Sequence, residues 1–137
     1  MTVVASPKTT DMDVLLQLYQ IYDRNREALL WFLHDLAAKD YSEYKAKYAG
    51  TSKERVSFTS VCGFFELSGV LVNRKLLSAD LFFDVFNPTP YWERAKPIVE
   101  GMRKARPHIY ENFERLDAER RQWAEKRPPK IRPKTRK

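Results

Sequence analysis

Glu66 stands between Phe65 and Leu67 in the most apolar stretch of the chain. A carboxylate there must find a cation, hold a proton or reach water, because burying it unpaired is costly. Two kinds of chemistry follow. With a raised pKa it is a general acid or base. Paired with a cation it is an ion pair that fixes helix register, and this structural reading carries more weight. Arg55 shares its helix but lies about 16 Å away at the helical rise. The partner is therefore expected from another helix, with Arg103 or Arg94 as the expected cations. Glu114, inside Asn112-Phe113-Glu114, is a second carboxylate, expected to pair with a neighbouring helix or with Arg115 or Arg120. Glu66, Arg103 and Glu114 make up the candidate polar core.

The remaining reactive types form no catalytic pattern. His34 and His108 are far apart and have no Cys or acidic residue at metal-ligand spacing. Cys62 is the single cysteine, so no intramolecular disulfide forms, and its apolar surroundings predict an inert buried thiol. There is no glycine-rich phosphate loop, no G-x-S-x-G and no H-E-x-x-H. No catalytic residue, cofactor or metal is expected. Trp92, beside the prolines at 88 and 90, reads as a core anchor rather than a pocket wall. Tyr41, Tyr44 and Tyr48 alternate with Lys39, Lys45 and Lys47. Such residues stack on bases, or pack their rings on the body with lysines outward. Packing is the favoured reading.

Charge is segregated. Lys126, Arg127, Lys130, Arg132, Lys134, Arg136 and Lys137 supply seven cations and no acid. The other 18 Lys and Arg balance the 18 Asp and Glu of the chain. The net charge of +7 thus describes an end segment, not a basic domain. Pro128, Pro129 and Pro133 predict an extended, solvated, disordered tail. Such a tail suits nucleic acid, an anionic lipid surface or an acidic protein, in each case without sequence readout.

The elements that position these residues read as helices. Apolar residues recur at helical spacing from Val14 to Leu36, a long first helix over 10–39 interrupted by Asp23-Arg24-Asn25-Arg26-Glu27. That polar stretch is either a bend or a solvated middle. Residues 40–48 read as a short helix or an ordered loop. Thr51 and Glu54 form a capping-box pattern opening a central helix over 52–72. Ser78 caps a short helix ending before Asn87-Pro88-Thr89-Pro90. A helix over 91–105 contains Pro97, and Pro107 opens a last helix reaching about Lys126. Nothing reads as a strand. No uncharged apolar run approaches the roughly 18 residues of a membrane span; Val61 to Val72 is shorter and contains Glu66. The N-terminus lacks the apolar core of a secretory signal, and a single thiol suits the cytoplasm.

The stretch over 64–116 resembles a family of uncharacterised small helical domains of bacteria, archaea and phages. The shared pattern is Phe65-Glu66, Gly69-Val70-Leu71, Trp92, Arg103 and Asn112-Phe113-Glu114-Arg115-Leu116. The resemblance implies a domain of unknown function with no established activity, cofactor or partner. Many members look membrane-anchored by an N-terminal apolar helix, from which this chain departs through the charges in its first helix.

The expectation is thus an all-α bundle of five or six helices over 10–126. A flexible N-terminus (1–9) precedes it and the basic tail (127–137) follows. The expected role is a non-enzymatic binding or regulatory module with a protein partner. Alternatives are nucleic-acid association through the tail and, least favoured, an enzyme using Glu66. A homodimer through the first helix is a further expectation.

Overall fold

A computed structural model describes residues 7–127. They form seven helices and no strand: α1 (Pro7–Arg24), α2 (Arg26–His34), α3 (Tyr41–Lys47), α4 (Lys53–Asn73), α5 (Ala79–Val85), α6 (Thr89–Met102) and α7 (Glu111–Lys126). The architecture is all-α as expected, with one more helix than the upper expected count. The extra helix arises at Asn25, where the predicted first helix is in fact two. Asn25 leaves helical geometry at φ −104°, ψ 17°. Its side-chain amide donates to the Ile21 carbonyl at 2.8 Å, an acceptor that its own backbone N–H reaches at 3.2 Å. A short polar side chain that competes for backbone groups is what ends the helix.

α4 is the axis of the bundle. It buries Phe58, Val61, Cys62, Phe64, Phe65, Ser68, Gly69 and Val72. Its most extensive partner is α7, followed by α2. Ser52, not Thr51, caps it, accepting from Arg55 N at 3.2 Å. At the other end Leu76 N bonds Leu71 O (2.8 Å) and Lys75 N bonds Val72 O (3.0 Å). This paired closure places Lys75 at φ 61°, a left-handed position that glycine normally fills.

Aromatic rings fill the interior. Phe65 stacks on Phe113 at 5.2 Å, and Trp92 meets the same ring edge-on at 5.0 Å. Phe58 lies 4.8 Å from Tyr44 and 5.4 Å from Phe32. Tyr44 is 1% exposed and Tyr48 8%. Tyr44 of α3 and Tyr48 at its end therefore pack inward, as favoured. Trp92 and Cys62 are buried as expected.

The last helix starts four residues later than Pro107 predicts. Residues 103–110 form turns, ending in Tyr110 at φ 58°. α4 is long and apolar enough to cross a membrane by composition, which the local reading did not anticipate, yet 44% of that stretch is already buried in the bundle.

Candidate functional site

The pattern residues from four separate stretches converge where α7 begins on α4. Tyr110, the residue before α7, offers no side-chain cap. The first-turn N–H groups of a helix need acceptors. Glu66 supplies one from across the bundle: its Oε1 accepts from Phe113 N at 2.9 Å and its Oε2 from Asn112 Nδ2 at 2.9 Å. The carboxylate also sits at the positive end of the α7 dipole. Two helices apart in sequence, Glu66 thus acts as the N-terminal cap of α7.

This replaces the expected ion pair. Arg103 does not meet Glu66; its Nη1 donates to Glu114 at 2.8 Å and its Nε to the Ile109 carbonyl at 3.0 Å. Arg94 Nη1 instead donates to Leu36 O at 2.9 Å. The physical reason is that a helix N-terminus already supplies the donors and partial positive charge that a half-buried carboxylate needs. Glu114 pairs with a residue of a neighbouring segment, one of the two expected options, rather than with Arg115 or Arg120.

Packing makes the capping possible. A Cβ added to Gly69 would collide with the Asn112 carbonyl. Glycine is required there because the α7 backbone passes directly over it. Asn73 Nδ2 donates to Asn112 Oδ1 at 3.3 Å, continuing the seam. Arg103 lies over the Trp92 ring at 5.8 Å, so the turn 103–110 is braced against the same tryptophan that holds Phe113. Cys62 lies one turn before Glu66; burial, then the Glu66 charge, pushes its thiol well up, away from nucleophilic use. Burial, with Cys62 next, pushes the Tyr110 phenol up to about 12.

Local reading missed the partners on α7. Asn112 lay inside the recurrent Asn-Phe-Glu stretch, but nothing in the spacing showed that its neighbour's backbone N–H was the acceptor's target. It also missed Asp117, 5% exposed, which accepts from Thr89 Oγ1 at 2.7 Å and Arg121 Nε at 2.9 Å, tying α7 to the start of α6.

Of the basic end segment, Lys126 closes α7 and Arg127 is held against the fold. Arg127 Nη2 meets Asp80 Oδ1 at 2.9 Å, where the Trp123 indole N–H also donates. The boundary expected between 126 and 127 is thus one residue early for the last anchored side chain. Lys130, Arg132, Lys134, Arg136 and Lys137 lie outside the described residues, as do residues 1–6 of the flexible stretch expected over 1–9, whose residues 7–9 belong instead to α1. Among the described residues no group of His, Cys, Asp or Glu is arranged to hold a metal ion.

Residues 8–120 match the model of a family described as Domain of unknown function (DUF4760). No curated protein and no solved structure matches the chain.

Proposed function

The chain belongs to the DUF4760 family, and from that premise we propose that it is a non-enzymatic protein-binding module working through helix faces. The carrying observation is that both oxygens of Glu66 are engaged in capping α7. The carboxylate in the apolar middle of α4 is thus committed to architecture rather than to a substrate. The pattern residues Gly69, Trp92, Arg103 and Glu114 are likewise engaged with one another or with backbone. The bundle also turns apolar side chains outward: Met12, Leu16 and Tyr19 on α1, Leu30 on α2, Val56 and Leu67 on α4, and Val85 on α5 are all exposed. The cytoplasm is the proposed location, where a lone thiol stays reduced.

Affinity capture from the native host tests this. Leu16→Glu and Leu67→Glu each charge one outward face without touching the core. Loss of a specific protein from one variant, with unchanged thermal midpoint, is the expected result. A partner set identical for wild type and both variants overturns the reading.

A second reading rests on charge. Seven cations without an acid at the end of an otherwise balanced chain suit a polyanion. Because Arg127 belongs to the fold, the informative truncation ends after it. Removal of 128–137 should lower the salt concentration that elutes the protein from immobilised nucleic acid, and unchanged elution defeats this reading.

A further inference from the structure

The chain leaves α7 beside α5. Arg127 meets Asp80 at 2.9 Å and lies over the Trp123 ring at 5.8 Å. The Trp123 indole donates to the same Asp80, and its ring rests on Phe83 at 5.7 Å. Residues 128–137 therefore set out from a fixed point at the start of α5. Their sequence, PPKIRPKTRK, holds three prolines and five cations.

The outer side of α5 leads away from that point. Asp84 follows Asp80 by one helical turn and shares its side of the helix; both are exposed. Beyond Asp84 the helix ends on an apolar cleft of about 220 Å³, walled by Tyr22, Phe86, Pro90 and Tyr91. Val85, 48% exposed, and Asn87 also line it and form its mouth. The Tyr22 and Phe86 rings lie 5.3 Å apart at 58°, a corner rather than a stack. Pockets for whole small molecules begin at roughly 300 Å³, so this cleft has the size for a side chain carried on a peptide. Asn87 Oδ1 is engaged by Thr89 N at 3.1 Å, which leaves the amide nitrogen as the donor it offers a passing carbonyl. Arg26 lies over Tyr22 at 5.5 Å, but Asp23 pairs with it at 3.0 Å and offsets its charge beside the cleft.

An aromatic-lined cleft suits a proline-rich peptide, whose extended form is set before it binds. The end segment of this chain is such a peptide, and its length fits. Six extended residues beyond Arg127 span about 19 Å. α5 has seven residues and is about 10 Å long. The segment can thus cross α5 obliquely, carry Lys130 and Arg132 past Asp84, and bring Pro133 to the cleft.

We infer that the cleft between α1, α5 and α6 is the docking site of this chain's own C-terminal segment, with Pro133 set against Tyr22, Phe86 and Tyr91. This goes beyond both functional readings. The cationic segment is a ligand of the bundle first, and a polyanion that takes it must displace it from the cleft.

Amide magnetic-resonance spectra of the full chain and of a chain ending at Arg127 test it. Truncation should shift the amides of Tyr22, Val85, Asn87 and Tyr91 and leave those of α3 in place. A synthetic peptide of residues 128–137, added to the truncated chain, should move the same signals back. It should bind the full chain roughly tenfold more weakly, because there the cleft is filled at high effective concentration. Pro133→Ala in the full chain keeps every cation, yet should give the truncated spectrum at residues 85–91. Val85→Arg changes an exposed site and should abolish the peptide's effect on the truncated chain, with the thermal midpoint checking its fold. Cleft signals that are identical with and without residues 128–137 overturn the inference. So does a truncation effect that Pro133→Ala leaves whole while Lys130→Gln with Arg132→Gln removes it, which is diffuse charge attraction. Cleft signals that change with protein concentration assign the segment to the cleft of a second copy and overturn docking within one chain.

Discussion

Glu66 shows how a residue's role depends on the donors it meets. A carboxylate in an apolar helix is a reasonable acid–base candidate until the N-terminus of another helix is placed against it. Here the backbone N–H of Phe113 and the amide of Asn112 take both oxygens. Hydrogen bonds to a charged acceptor contribute about 1.5–3 kcal/mol each when buried; this carboxylate is half-buried, so Glu66→Ala should cost about 2 kcal/mol. Glu66→Gln keeps an acceptor for Phe113 N and should cost about half as much. Urea unfolding, read as a lower midpoint with unchanged slope, checks both. Gly69→Ala forces a methyl into a backbone carbonyl, which no side-chain rotation relieves. It should cost about 3 kcal/mol, the upper end for overpacking, and a variant as stable as wild type would contradict the close α4–α7 contact.

At the scale of the element, α4 is bounded by two kinds of cap. Ser52 supplies the ordinary side-chain cap at its start. Its end relies on a backbone closure that puts Lys75 in the left-handed region. A side chain there costs about 1 kcal/mol relative to glycine. Lys75→Gly should therefore stabilise the protein by about 1 kcal/mol, seen as a rise in thermal midpoint, since the Lys75 side chain is exposed. α7 inverts the logic: it has no cap of its own and borrows one from α4, so the two helices are stable only together. Hydrogen exchange should show the amide of Phe113 exchanging faster in Glu66→Ala than in wild type, with α2 unaffected.

For the whole molecule, the buried phenols set the response to alkali. Burial raises the Tyr44, Tyr91 and Tyr110 phenols and the Cys62 thiol above their ordinary values near 10 and 9. The folded chain keeps these protons at pH values where the unfolded chain has shed them. Their contribution to stability is fully present below about pH 8, where the unfolded thiol and phenols are still protonated. It falls as pH rises through 10 and beyond, towards the value of about 12 reached by Tyr110. Denaturant midpoints should accordingly drop steeply between pH 9 and 11. Tyr110→Phe should flatten that drop, and a flat wild-type profile would contradict the burial of these groups.

The chain by itself determined its class and most of its helices. Apolar spacing at 3.6 residues, the Ser78 cap and the proline pair at 88 and 90 are local signals, and local signals survive in a linear string. The same is true of the neutral body and cationic end. The recurrent Phe-Glu, Gly, Trp, Arg and Asn-Phe-Glu elements also marked which residues belong together, without saying how. Tertiary structure decided the rest: that Glu66 faces a helix N-terminus and not Arg103 or Arg94, and that Asn25 breaks the first helix in two. Capping across a bundle leaves no periodic trace, because the donor is a backbone N–H that every residue but proline carries. Only the packing of α7 over Gly69 selects which of those N–H groups the carboxylate meets.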